Sequence, residues 1–391
     1  MACDLLVRNG QIFDPLKKSF QKGDVSVAGG KISRIGPPGE GGKSSEVIDA
    51  CGCIVAPGLI DMHVHIFYLV HRISIHPARL VPRAGTTTMV DAGSAGAANF
   101  DALKEFILTR SDLNLLAFLN ISLLGQVFEM QIPGMPHMHE YEDLRLVNVT
   151  EAVKCIQQNR DTIVGLKVRA FAGLTNLTPI YAAVEAAEEA DVPIMIHTGP
   201  PPPAVSQYFP LLRAGDIVTH LYHPSPGGLL DRNGKIRSEY REARERGVLM
   251  EVGLDRWHTD FEVMKRGMGQ GFWPDIISTD LTRFNVEPLV RDLLFTASKV
   301  MAAGLPLPET LTAMTLNPAR AVRRPGLAEL KAGGPANITV LELRKEEVPF
   351  VDFFGQTMKG KERLVCRWLI NKGKVLKETP ETKETEFAQN L

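Results

Sequence analysis

His63 and His65 are separated by one valine at the end of the apolar run "GLIDMHVH". Side chains alternate across a strand, so both imidazoles point to the same side, as two ligands of one cation must. An HxH pair alone is a weak signal, because two histidines can equally be core or surface residues. Other polar residues sit within or close similar apolar runs: Lys167 in "IVGLKVRAF", His197 in "VPIMIHT", His220 in "DIVTHLYH" and Asp280 in "PDIISTD". Four histidines and an aspartate are donors for divalent ions, zinc first, although manganese, iron, cobalt or nickel suit the same set. A lysine ammonium has the wrong charge for such a place. Burial, however, depresses a lysine pKa and leaves a nucleophilic neutral amine. Reaction with CO2 gives a carbamate, an anion whose two oxygens can bridge two ions. His63, His65 and Asp280 would then hold one ion, and His197 and His220 the second. A hydroxide bridging ions about 3.5–4 Å apart would be the nucleophile. The plainer alternative is a lysine that snorkels to a solvent-facing mouth or pairs with an acid.

The elements that would position these residues form a repeating pattern. From residue 54, eight apolar β-like runs alternate with helix candidates at 98–110, 149–160, 178–190, 238–246 and 261–269. That alternation predicts an α/β fold, a (β/α)8 TIM barrel, in which the C-terminal strand ends form the active-site rim. A barrel of roughly 250 residues allots about 31 to each β/α unit. From His65 to Lys167 is 102 residues, or 34 for each of three units. Lys167 to His197 is 30, His197 to His220 is 23, and His220 to Asp280 is 60, or two units. The candidates therefore fall on strands 1, 4, 5, 6 and 8. Helical stretches follow at 286–303 and 308–321. The two ends share a strand-and-turn texture that the middle lacks. The expected organisation is one small β-sandwich domain built from residues 1–55 and 323–378 around a barrel at 56–322. A polar, disordered tail is expected at 379–391.

"GLIDMHVH", "GLKVR", "IMIHT", "VTHLYH" and "ISTD" together resemble the binuclear amidohydrolase superfamily, and the likeness covers nearly the whole chain. "LPETLTAMTLNPARAV" is similar to the helices that follow strand 8 in those enzymes. "GLKVR" and "PDIISTDL" resemble the dihydroorotase-like amidohydrolase/deacetylase branch. The resemblance implies a carboxylated, metal-bridging Lys167, with Asp280 as both ligand and proton shuttle. It also implies hydrolysis of an amide or ester of a small acylated carboxylate. A cyclic amidohydrolase of dihydroorotase or hydantoinase type is the alternative. A non-catalytic scaffold on the same fold is the competing reading of another class, and such a protein would have lost metal ligands that this chain keeps.

Around the six ligands, Arg169 lies on the same strand face as Lys167 and one step nearer the rim. It could grip a substrate carboxylate bidentately, or it could pair with a barrel acid. Tyr222 and His223 follow the sixth-strand histidine and could line the pocket, or be ordinary loop residues. His137 and His139 lie in "GMPHMHEYE", a long loop without partner ligands at barrel spacing. "LDRWHTDF" places Trp257 and His258 after strand 7, where related deacetylase-like proteins have a glycine-rich segment. Arg283 is a further pocket candidate, while His71 and His76 read as structural or surface residues.

Composition narrows the partners. The chain has 391 residues, 44% hydrophobic and 23% charged, with a net charge of −1. Near-neutrality argues against nucleic acid or an anionic membrane and leaves a small-molecule substrate. No apolar run reaches the roughly 18 residues of a membrane span, and "MACDLLVRNGQIFD" has no signal-peptide pattern. Five scattered cysteines, Cys3, Cys51, Cys53, Cys155 and Cys366, fit reduced thiols in a cytoplasmic protein. A homo-oligomer is expected.

Overall fold

A computed structural model describes residues 3–79, 85–128, 139–171, 174 and 176–378. His137 and the expected tail at 379–391 lie outside them. The first residues form β1 (Cys3–Asp14), β2 (Ser19–Ala28), β3 (Lys31–Gly36), β4 (Ser44–Asp49) and β5 (Ile54–Pro57). β6 (Leu59–Val64), β7 (Thr86–Gly96), β8 (Asn114–Asn120), β9 (Ile163–Ala170), β10 (Ile194–Thr198), β11 (Ile217–Thr219) and β12 (Leu249–Met250) follow. β13 (Ile338–Val351), β14 (Thr357–Asn371) and β15 (Lys374–Glu378) close the order.

β6 to β12 form one parallel sheet in chain order. Parallel strands covered on both faces read as continuous apolar runs, and all eight residues of β9 are buried. Helices Val149–Gln158, Thr178–Glu189, Ser238–Glu245 and Phe261–Gly269 make crossovers between successive strands. Their starts are written locally. Asn148 accepts from the Glu151 amide and Asp260 from the Val263 amide, each capping its helix.

The eighth strand position differs from the expected regular strand. Residues 276–281 make only isolated parallel bridges, Glu251 to Ile276 on one side and Val64 to Leu281 on the other. Side chains replace much of the ladder there. Asp275 Oδ2 accepts the Met250 amide at 2.8 Å, and Asp61 Oδ1 accepts the Thr279 amide at 3.1 Å. The segment still ties both edges of the sheet together, because the Val252 amide donates to Ile276 and the His65 amide to Leu281. The stretch expected as one helix over 286–303 is also divided. A π-turn at Val286–Val290 ends at Arg291, whose φ is 59°, and Asp292 caps a new helix, Leu293–Ala302.

Both chain ends enter a single eight-stranded sheet, β15-β14-β13-β5-β1-β2-β3 with β4 on β1. The join is β13 against β5, antiparallel from Ile338 opposite Pro57 to Leu341 opposite Ile54. Leu5, Val7, Val25, Val27, Val55, Ile338, Val340 and Ile370 form a core of their own there. The barrel and its helices share a larger core, while Phe118, Met195, Ile217 and Ile276 form another cluster from strands around the ring.

Candidate metal centre

The strand ends converge as the spacing predicts. His63, His65 and Asp280 place one ligand atom each within 4.8 Å of the others, and all three residues are buried. Asp280 Oδ1 lies 3.2 Å from Nε2 of both His63 and His65. That oxygen is buried without a hydrogen-bond partner. Nδ1 of His63 faces Glu251 Oε2 at 3.3 Å and Thr219 Oγ1 at 3.2 Å. A carboxylate only accepts, so Nδ1 donates towards Glu251, and Nε2, which faces Asp280, is the nitrogen that a cation would take. Nδ1 of His65 is engaged by Ser94 Oγ at 2.9 Å. Two imidazole nitrogens and a carboxylate oxygen turned on one buried point fit a divalent cation.

Lys167 projects from β9 to the same place, with Nζ 3.4 Å from His63 Nε2 and 3.2 Å from Met195 Sδ. Burial pushes its pKa down to about 8. Its stem passes Gly93, whose φ is +84° and where a Cβ would stand 2.5 Å from Lys167 Cβ. Only glycine leaves that room.

His197 and His220 form the second half. His220 Nδ1 lies 2.9 Å from the Gly253 carbonyl, which fixes the proton there and leaves Nε2 as an acceptor 2.9 Å from His197 Nδ1. Burial first, and neighbouring histidines after it, hold both well below the ordinary histidine range, so both are neutral donors. Asp280 Oδ2 is 3.8 Å from His220 Nε2, so one carboxylate spans both halves. Burial opposes the Asp280 charge, but His63, His258 and His65 outweigh it and hold the carboxyl well below its usual range.

The backbone is bent to aim these groups. His220, Asp255 and Asp280 have φ of 68°, 40° and 50°. Non-glycine residues rarely adopt the left-handed region, and such strain concentrates at functional sites.

The expected substrate contacts are placed unevenly. Arg169 makes the ion pair that was its second reading: Nε donates to Glu140 Oε1 at 2.6 Å and the outer nitrogen to Oε2, both side chains buried. Its guanidinium also lies 4.6 Å from the Phe171 ring. Tyr222 points away from the cluster, its hydroxyl donating to the Phe272 carbonyl at 3.2 Å, because its ring fills space beside Gly267. His223 is buried with neither ring nitrogen hydrogen-bonded. His71, expected to be structural or surface, is buried with its ring 5.3 Å from His65 and Nε2 without a hydrogen-bond partner. His139 packs on Phe171, which in turn packs on His197. His76 and Arg283 are exposed, the latter over Phe284.

Two residues emerge that the sequence reading did not assign to the site. Glu251 is fully buried, receives the Ser278 hydroxyl and faces His63. Burial opposes its charge, yet His63 and Lys167 outweigh it and lower its pKa. Its signal was present, an acid interrupting "VLMEV" as Lys167 interrupts its own strand. His258 stacks on His220 with ring centroids 3.9 Å apart, and its Nδ1 is 3.0 Å from Asp255 and 3.8 Å from Asp280.

Comparison with known proteins agrees with this geometry. A deacetylase of Agrobacterium fabrum is 31% identical over 351 residues, covering 89% of this chain and 85% of its own. A deacetylase of Enterococcus faecalis is 28% identical over 370 residues, covering 93% and 96%. Among solved structures, a dihydroorotase superposes with a TM-score of 0.86 at 28% identity, over 96% of this chain and 99% of its own. An adenine deaminase gives 0.87 at 27% identity, over 95% and 99%. The profile of the Amidohydrolase family matches residues 54–375, spanning every strand-end residue described above, and the chain belongs to that family of hydrolytic enzymes.

Proposed function

We propose that this chain hydrolyses the amide or ester bond of a small acylated carboxylate, using two divalent cations, zinc first. The observation that carries this reading is Asp280 Oδ1, buried without a hydrogen-bond partner and 3.2 Å from Nε2 of two histidines. His63, His65 and Asp280 would hold one cation, and His197 and His220 the other. Lys167, whose neutral amine adds to CO2 and releases a proton, would be the carbamate shared between them. Cations in this position polarise a carbonyl and make water ionisable near neutral pH. Asp280 reaches both halves, so it is placed to take the proton of the attacking water and return it to the leaving amine or alcohol. Glu251 holds the His63 ring in the tautomer that presents Nε2. His223 offers buried ring nitrogens that a polar substrate group would satisfy. Arg169 is paired with Glu140, so gripping a substrate carboxylate would require that pair to open.

The deacetylases of Agrobacterium fabrum and Enterococcus faecalis support an acyl substrate. The dihydroorotase superposition supports the second reading, a cyclic amide. A rate screen of metal-loaded protein against N-acetyl amino acids, O-acetyl hydroxy acids and cyclic imides separates them. Turnover of the acylated carboxylates is expected. Turnover of the cyclic substrates alone would favour the second reading, and protein that takes up no metal and turns over none of the three would favour a scaffold.

Three coarser expectations complete the reading. The terminal sheet curls into a two-layer sandwich around its own core, the protein works in the cytoplasm, and it assembles as a homo-oligomer. Sedimentation measures the last. No helix of the described residues is long and apolar enough to cross a membrane.

A further inference from the structure

Resting on the reading above, we propose that His71 receives the carboxylate of the substrate, its Nε2–H donating to one carboxylate oxygen. The acid is then recognised without opening the Arg169–Glu140 pair. The His71 ring is 1% exposed and packs edge-on against His65, with ring centroids 5.3 Å apart. Its Nδ1 lies 3.1 Å from Ser74 Oγ, and its Nε2 is buried without a hydrogen-bond partner among the described residues. Buried polar atoms are seldom left unpaired, so an orphan nitrogen beside a candidate metal ligand points to a substrate group as its partner.

Ser74 decides which way the missing bond runs. It is buried, and His71 Nδ1 is the partner of its hydroxyl among the described residues. If the hydroxyl accepts from Nδ1, its own proton and the Nε2 lone pair both stay unmatched. If it donates to Nδ1, the ring proton sits on Nε2, and one acceptor oxygen completes the group. Burial first, then His65 and Arg169, hold His71 well below the ordinary histidine range against the pull of Asp280. The chain fixes this ring in place. Residues 65–75 form an arch closed at its root, where the Ile75 amide donates to the His65 carbonyl at 3.0 Å. Within it the His71 amide donates to the Phe67 carbonyl at 2.9 Å, and the Ser74 amide to the His71 carbonyl at 3.0 Å. The Ile73 carbonyl accepts the Arg283 amide at 2.9 Å, which ties the arch to the turn after Asp280. Phe67 and Ile75 anchor it in the core. His65 and His71 thus belong to one braced unit, the first as candidate ligand and the second as donor beside it.

The competing account is that His71 is structural, bracing His65 and bonding Ser74 and nothing more. Asparagine and glutamine separate the two, because an Asn amide stands near the place of Nδ1 and a Gln amide near that of Nε2. The experiment measures kcat, KM and zinc content of zinc-loaded wild type, His71→Asn and His71→Gln. Substrates are N-acetyl amino acids and O-acetyl hydroxy acids, each beside the same compound as its carboxamide. His71→Asn is expected to keep the zinc and to raise KM for the acids by about 10–100-fold, as loss of a hydrogen bond to a charged group does. The carboxamides should change far less, and His71→Gln should recover most of the loss. A wild-type KM in His71→Asn, equal losses on acids and carboxamides, or a glutamine variant no better than the asparagine one would overturn the proposal. Should the variants unfold, nitrogen NMR of isotope-labelled histidine in the zinc-loaded wild type gives a second reading. A shift of His71 Nε2 with N-acetylglycine but not with N-acetylglycinamide is expected, and a resonance that the acid leaves unmoved overturns the proposal. Wild type that turns over no acylated acid at all would instead remove the underlying hydrolase reading, so the two failures are distinguishable.

Discussion

Glu251 is the perturbation whose effect follows most closely from the geometry. It is buried, receives the Ser278 hydroxyl and faces His63 Nδ1 at 3.3 Å. Glu251→Leu removes the acceptor that holds the His63 proton on Nδ1, leaving Thr219 Oγ1 at 3.2 Å as the remaining neighbour of that nitrogen. Loss of a carboxylate that orients a ligating histidine costs about 10–100-fold in metal affinity, or about 1.4–2.8 kcal/mol. Glu251→Gln keeps an acceptor oxygen and loses only the charge, so it should fall at or below the lower end of that range. Zinc affinity by chelator competition measures both, with urea unfolding of the metal-free proteins as a control on the fold. A Leu variant that binds zinc as tightly as wild type would refute the orienting role. So would equal losses in both variants that simply track their stability.

Asp280→Asn should leave a folded protein that retains metal yet turns over slowly, and wild-type kcat in that variant would refute the proton role. Lys167, pushed down to about 8 by burial, is mostly an ammonium below that pH and cannot attack CO2. Reloading of metal-stripped protein with bicarbonate and zinc should therefore speed up as pH rises towards about 8 and level off above it, and a flat profile would contradict the carbamate. Arg169→Met strands Glu140 as a buried, unpaired acid and should destabilise the fold by about 3–5 kcal/mol. Pairing it with Glu140→Gln should recover much of that loss in chemical denaturation, and independent, additive losses would show that the pair is not the source.

The ring of candidate ligands was legible because each member breaks an apolar strand with a group that has no business in a core. His63, His65, Lys167, His197, His220 and Asp280 share that signature, and barrel spacing alone assigns them to strands whose ends must meet. His258 lacks it. It sits in a polar loop, and its approach depends on a left-handed turn at Asp255 and on Asn285, a residue 30 positions away that braces that turn. Glu251 carried the same signature, but its role as the acceptor beside His63 appears only when His63 is seen across the barrel. Arg169 had two readings on strand alternation alone. Only the fold brings Glu140 to it, from a loop whose path no periodicity determines. The divided helix near 291 was partly readable, since Asp292 is a good N-cap residue within an otherwise apolar helical run.

The most direct test of the account is the metal content of the purified protein, measured by elemental analysis after growth with zinc and desalting. The arrangement of His63, His65 and Asp280 beside His197, His220 and Lys167 predicts about two equivalents per chain. A folded chain that repeatedly carries none, and takes up none when zinc is added, would contradict it.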